Sequence, residues 1–267
     1  MFETAFIAAI LLMASAVYLW SSRARLYRDL GERQRVIARA GSGFAGIAPV
    51  AGGGLPSFED RLAVVPAPMP PDDFGRIARE IEQLSSSERS YLPTHKKGGT
   101  VAYETLCIAA PAVVELFQSK ALHDLVSGIV GARVVPTPLH DQSSCSVLFY
   151  ERPGDHIGWH YDHNFYNGRH FTVLLPIVNR NRDGSGLSAA RLIARIGGED
   201  RQIATPANTM VVFEGARVLH KATPIGEGER RIVLSMTFST DPRNTPLQGI
   251  VRRIKDMAFF GIRALWT

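Results

Sequence analysis

Past residue 133 the chain is built of short runs of β-favouring residues, at 133–136, 146–150, 171–178, 192–196, 210–213 and 231–238. Turn residues separate them, among them Pro153-Gly154, Asn167-Gly168, Asp183-Gly184, Gly197-Gly198 and Gly226. Branched and aromatic side chains suit a pleated, half-buried surface, and the glycines and prolines end each run. Upstream the signals are mostly helical. One strand is expected over 61–66 (RLAVVP), and a helix opens at Pro70-Pro71-Asp72-Asp73 and runs to about residue 84. Proline presets a first turn, and acidic side chains favour the positive end of the helix dipole. Two more helices are expected over 111–119 and 120–130. Helices followed by many short strands make a mainly β, α+β chain, a sandwich or barrel backed by helices.

The two ends differ from this middle. Residues 5–20 are apolar or aromatic except Ser15, just long enough to cross a bilayer core of about 30 Å as a helix. Ala14-Ser15-Ala16 resembles a signal-peptide cleavage site, but the segment before the run carries Glu3 and no basic residue. Arginines follow the run instead (Arg23, Arg25, Arg28, Arg33, Arg35, Arg39), which orients a single-pass anchor with the main domain in the cytoplasm. The expected order is an anchor over 1–22, a juxtamembrane helix and Gly/Ala/Pro linker over 23–56, a domain over 57–242, and a basic amphipathic helix over 243–267. In that last helix Leu247, Ile250, Val251, Ile254, Met257 and Ala258 share a face. It either packs on the sheet or lies on a membrane. The net charge of +5 is concentrated at these ends. No zinc-finger spacing or RNA-binding aromatic signature accompanies it, so an anionic membrane is the expected partner rather than nucleic acid. Two cysteines, Cys107 and Cys145, make no disulfide framework and read as small buried residues.

Chemistry concentrates in an ordered set: Tyr150, His160, Asp162, His220 and Arg230. In extended chain, positions i and i+2 face the same way, so His160 and Asp162 can grip one metal, with His220 from a neighbouring strand as third ligand. Two imidazoles and a carboxylate suit Fe(II) and leave positions open on it. On the strand that begins Arg230-Arg231, alternation groups Arg230 with Ile232, Leu234 and Met236 on an inward face and turns Arg231 outward. A planar guanidinium there suits a carboxylate. Arg230 is therefore the expected anion anchor, with Arg231 as the alternative and the Tyr150 hydroxyl as helper.

Tyr150-x9-His160-x-Asp162, then Pro206 with Met210-Val211-Val212-Phe213, then His220-x3-Pro224-x3-Gly228-x-Arg230, resembles the Fe(II)/2-oxoglutarate-dependent dioxygenases, in particular their prolyl 4-hydroxylase-like branch. The resemblance spans about residues 60–242. It implies a double-stranded β-helix (jelly roll), iron on His160, Asp162 and His220, and Arg230 with Tyr150 on the distal carboxylate of 2-oxoglutarate. Fe(II), 2-oxoglutarate and O2 are the implied cofactors, with ascorbate as an optional addition. The implied activity is oxidative decarboxylation of 2-oxoglutarate coupled to hydroxylation of a second substrate, a protein side chain such as proline or a lipid-like small molecule. The chain departs from the family where a Gly-Gly-x-Thr stretch is usual, reading Asp183-Gly184-Ser185-Gly186-Leu187-Ser188.

Two other classes compete. A non-enzymatic metal- or ligand-binding jelly roll has no use for an inward arginine, and a zinc hydrolase needs a carboxylate base that the sequence does not display. His156, His163 and His170 read as polar loop residues with a place near substrate as the alternative, and His95, His123 and His140 as surface or satisfied core groups. The segment between Asp162 and Phe171 is either a substrate-contacting loop or a polar hairpin. Lys96-Lys97-Gly98-Gly99 lacks the full phosphate-cradle pattern and reads as a solvated loop.

Overall fold

The structure is a computed structural model that describes residues 2–40, 44, 46–47, 54–84, 88–89 and 96–260. His95, most of the expected linker and residues 261–267 lie outside the described residues.

Two antiparallel sheets face each other. The larger runs in the order β1 (Leu62–Pro66), β11 (Thr209–Phe213), β8 (His170–Arg180), β13 (Arg230–Ser239), β6 (Cys145–Tyr150), β4 (Gly99–Val101), β2 (Glu88–Arg89), and β5 (Val135–Pro136) pairs with the end of β13. The smaller runs β10 (Glu199–Ile203), β9 (Leu192–Ile196), β12 (Leu219–Ala222), β7 (His156–His160), β3 (Lys96–Lys97). The six expected β-runs fall on β5, β6, β8, β9, β11 and β13. β9 and β10 form a two-residue hairpin at Gly197 (φ 61°) and Gly198 (φ 88°), the left-handed pair that such a turn requires.

One face of the larger sheet carries helices α2 (Pro71–Glu82), α3 (Tyr103–Ala109), α4 (Pro111–Gln118) and α5 (Lys120–Val130). α5 is capped by the Ser119 hydroxyl, which accepts from the Leu122 N–H at 3.2 Å, and it ends on left-handed Gly131. The main core lies in this layer. Phe171, Val173 and Leu175 of β8 and Ile232, Leu234, Met236 and Phe238 of β13 meet Ile77, Leu106, Phe117 and Val126 of the helices. A smaller core fills the gap between the sheets, around Tyr150, Leu174, Leu192, Val211, Phe213 and Val233. β8 is thus buried on both faces. Pro176 can sit inside it because the β8–β13 register shifts there: Ile232 pairs with Val178 and Val233 with Pro176.

The N-terminal region departs from expectation. α1 (Phe2–Ala40) is one uninterrupted helix, with no boundary at residue 22. Among the described residues no helix is long and apolar enough to cross a membrane. The apolar run shares a helix with the charged segment after it, and that segment does not extend into solvent. Leu30 is buried and Leu26, Tyr27 and Ile37 pack beside it, while Arg23 meets Glu104 of α3 at 2.6 Å. In the first half of α1, Phe6, Ile7, Ile10, Leu11, Met13 and the run from Val17 to Trp20 are exposed.

The last helix, α6 (Pro246–Phe260), packs on the domain with its amphipathicity reversed. Arg252 (1% exposed) and Asp256 (0%) point inward and pair at 2.6 Å. Leu247 (70%), Ile250, Val251 and Ile254 face outward.

Candidate metal centre

β7 and β12 pair so that His160 and His220 are direct cross-strand partners. Their rings lie 4.1 Å apart between centroids. The pairing shifts between His220 and Ala222, placing an extra residue on β7 between Ile157 and His160. Bulges of this kind re-aim side chains beside sites. Each imidazole is oriented by its own strand. Nδ1 of His160 donates to the Gly158 carbonyl at 2.8 Å, and Nδ1 of His220 to that of Val218 at 3.0 Å. A carbonyl only accepts, so both Nδ1 atoms carry the proton and both Nε2 lone pairs face the gap.

Asp162 closes the set. Its Oδ1 lies 3.5 Å from His160 Nε2 and 3.8 Å from His220 Nε2. Metal-ligand atoms of the three residues all fall within 4.8 Å of one another. Most of these separations are long for hydrogen bonds but short enough for ligands each roughly 2.1 Å from a shared ion. Asp162 Oδ2 accepts from Thr172 Oγ1 at 2.6 Å, and its N–H donates to the Gly215 carbonyl at 3.0 Å. Gly215 is required here: a Cβ would stand 2.7 Å from Asp162 Cβ and 2.9 Å from Thr172 Oγ1. Burial pushes the Asp162 carboxyl up, but His220, His160 and the Thr172 hydroxyl outweigh it and hold it well below the usual range. Burial depresses His220, whereas at His160 the Asp162 carboxylate outweighs burial and raises the imidazole. An ionised carboxylate with two inward nitrogen lone pairs fits a divalent iron.

The centre opens onto a cavity of about 380 Å³ between the sheets. Tyr150, Leu174, Arg231 and Val233 line it from the larger sheet, and Ile157 and Leu192 from the smaller. α6 forms one wall with Lys255, Phe259 and Phe260.

The two arginines exchange the roles expected of them. Arg230 lies outside the cavity, where Nε meets Glu151 at 2.9 Å and Nη1 meets Glu82 of α2 at 3.1 Å. Arg231 is 2% exposed and lines the cavity, its guanidinium 5.4 Å from the Tyr150 ring centroid. The alternation along β13 is as expected, but its apolar face turns to the helix-side core. The face with Arg231, Val233, Ser235 and Thr237 turns to the cavity. Among the described residues no carboxylate pairs with Arg231, and its Nε has no hydrogen-bond partner.

The sequence reading put His170 on a polar loop, whereas it lies on a strand, and it missed several other groups. His170 is buried on β8 and lines the cavity, and Lys96 is buried there too, while its neighbour Lys97 is exposed. Period-two burial on a two-residue strand leaves almost no pattern to read. Thr172 and Gly215 become meaningful only once Asp162 is placed between them. Cys107 and Cys145 are buried and unpaired.

No protein-family model matches the chain, and no curated protein matches it. Solved structures do. They include a Pseudomonas putida prolyl-4-hydroxylase, at 15% identity over 69% of this chain and 94% of that one, TM-score 0.51. A Trichoplax adhaerens prolyl hydroxylase in complex with a hypoxia inducible factor peptide fragment matches at 15% identity over 68% and 84%, TM-score 0.53. The epimerase SnoN, solved with Fe3+, alpha ketoglutarate and nogalamycin RO, matches at 14% identity over 67% and 79%, TM-score 0.55. The chain has the fold of the Fe(II)/2-oxoglutarate oxygenases. Within that oxygenase fold, the likeness takes in about two thirds of the molecule, and His160, Asp162 and His220 sit between its two sheets.

Proposed function

We propose that the protein is an oxygenase that converts a substrate R–H, 2-oxoglutarate and O2 into R–OH, succinate and CO2. One observation carries the reading: the His-Asp-His set and a buried guanidinium with no carboxylate partner among the described residues share one cavity. An isolated buried charge is costly, and an anionic ligand relieves that cost. A structural jelly roll gains nothing from it.

His160, Asp162 and His220 hold the iron, which when bound supplies the redox chemistry. Three protein ligands leave positions open for co-substrate and oxygen. Arg231 binds the distal carboxylate of 2-oxoglutarate and so fixes the orientation of the co-substrate. Tyr150, packed on that guanidinium, offers a phenol donor. Burial pushes its hydroxyl up to about 12, so it stays protonated at neutral pH. Leu174, Leu192 and Val233 keep the surroundings dry.

The reading extends to place. The outward apolar face of α6 and the exposed first half of α1 meet where the Arg253 guanidinium lies 5.6 Å from the Trp20 ring centroid. Apolar faces flanked by arginines suit an anionic membrane surface. The protein therefore works at a membrane surface, and a lipid-like substrate fits this setting better than a prolyl side chain.

Succinate formation with Fe(II) and 2-oxoglutarate, compared with His160→Ala, tests the activity. No succinate above the variant's level, across a broad extract of substrates, overturns it. Sedimentation with phosphatidylglycerol vesicles tests the place. Loss of binding in Ile250→Glu/Ile254→Glu supports it. Wild-type protein that stays in solution as a dimer assigns the face to a second copy instead.

A further inference from the structure

Besides Arg231, two lysines line the cavity, Lys96 and Lys255. Lys96 is 4% exposed and lines the cavity. Its Nζ donates to Thr100 Oγ1 at 2.6 Å and lies 5.2 Å from the Phe259 ring centroid, and no carboxylate pairs with it among the described residues. Lys255 on the same cavity shows the contrast. Its Nζ lies 2.7 Å from Asp256 and 4.0 Å from Asp141, and it donates to the Ser143 hydroxyl at 2.7 Å. Among the described residues, two carboxylates meet Lys255 and none meets Lys96.

We propose that Lys96 is an anion subsite that holds a carboxylate or phosphate group of the primary substrate, beside the metal centre and apart from Arg231. Calling the ligand the primary substrate rests on the oxygenase reading. The subsite itself rests on the geometry of Lys96. An ammonium has three donors, and Thr100 engages one. Two remain for an anion. The same cavity contains an unsatisfied polar atom, Nδ1 of His170, on a side chain only 5% exposed. β3 pairs with β7 at Lys96–Ile157, and β7 ends at His160, so the ammonium stands near the iron ligands. Phe259, Leu148 and Ile157 give the surrounding wall an apolar character, which calls for a hydrocarbon body attached to the charged group. Burial and the nearby Lys255 charge pull the Lys96 amine down to about 7, and an anion bound beside it would favour the ammonium form again.

The test is a calorimetric titration of the Mn(II)- and 2-oxoglutarate-loaded protein with octanoate, octyl phosphate and octanol. At least one anion should bind ten-fold or more tighter than octanol, and which of the two wins separates a carboxylate substrate from a phosphate one. Lys96→Met should cut that preference to below two-fold, with 2-oxoglutarate affinity unchanged within two-fold, and Lys96→Arg should retain the preference. The proposal is overturned if neither anion outbinds octanol, if Lys96→Met keeps the preference, or if that variant loses 2-oxoglutarate instead. Repeating the titration without metal and 2-oxoglutarate separates the two readings. An anion preference that depends on Lys96 in a protein that binds no 2-oxoglutarate upholds the subsite and removes the oxygenase.

Discussion

Replacing Arg231 by Met removes a buried cation while leaving the packing volume nearly intact. Losing one partner of a desolvated charge pair costs about 3 kcal/mol, which is over 100-fold in 2-oxoglutarate affinity. Arg230→Met removes only a surface pairing with Glu82 and Glu151 and should change that affinity by less than about three-fold. Titrating 2-oxoglutarate into both variants, loaded with Mn(II), reads the difference, and equal losses would refute the assignment of Arg231. Thr172→Val and Gly215→Ala act on Asp162 from two sides, one by removing a hydrogen bond and the other by crowding it. Each should weaken metal binding by roughly 10- to 100-fold, as measured by competition with a chelating dye. At this scale the His160–Asp162 pair was legible because its spacing is a local property of extended chain, and His220 joins it only through the pairing of β12 with β7. The choice between adjacent arginines was not. It depends on which side of β13 faces helices, and apolar alternation looks the same whether its oily face meets a helix layer or a cavity.

Most of the elements that were legible bury an apolar face. Among the unrecognised ones, β10 (Glu-Asp-Arg-Gln-Ile) is largely exposed, β12 has four residues, and β7 is half-buried throughout with a glycine at its centre. α3 and β4 bury apolar side chains, but with seven and three residues they are too short to show a period. α6 was legible as a helix, but its orientation was not. Its inward side is held by polar contacts, Arg252 to Asp256 at 2.6 Å and Arg252 to the His140 carbonyl at 2.6 Å. Removing one member of a buried pair strands the other, so Asp256→Ala should cost about 3–5 kcal/mol in urea unfolding. Ile254→Ser, on the outward face, should cost under about 0.5 kcal/mol. A reversed ranking would mean that α6 sits the other way round in solution.

On the scale of the molecule, α1 divides by function rather than by a break in the helix. Deleting residues 2–20 removes the exposed Phe6, Ile7, Ile10, Leu11, Met13 and Val17 to Trp20 and should leave the unfolding midpoint within about 2 °C while abolishing vesicle binding. Deleting residues 2–40 also strips Leu30, Leu26, Tyr27 and Ile37 from the main core and should lower the midpoint by more than about 5 °C. Similar losses from both deletions would refute this division. Calorimetric scans of both proteins decide between these outcomes. The pairing of His160 with His220 has a consequence for assembly. Each imidazole is locked by its own strand, so the site exists only when β7 and β12 meet in one register, and a one-residue slip turns one ring away. An ion bound there therefore acts as a proofreader of the smaller sheet, rewarding the correct alignment and no other.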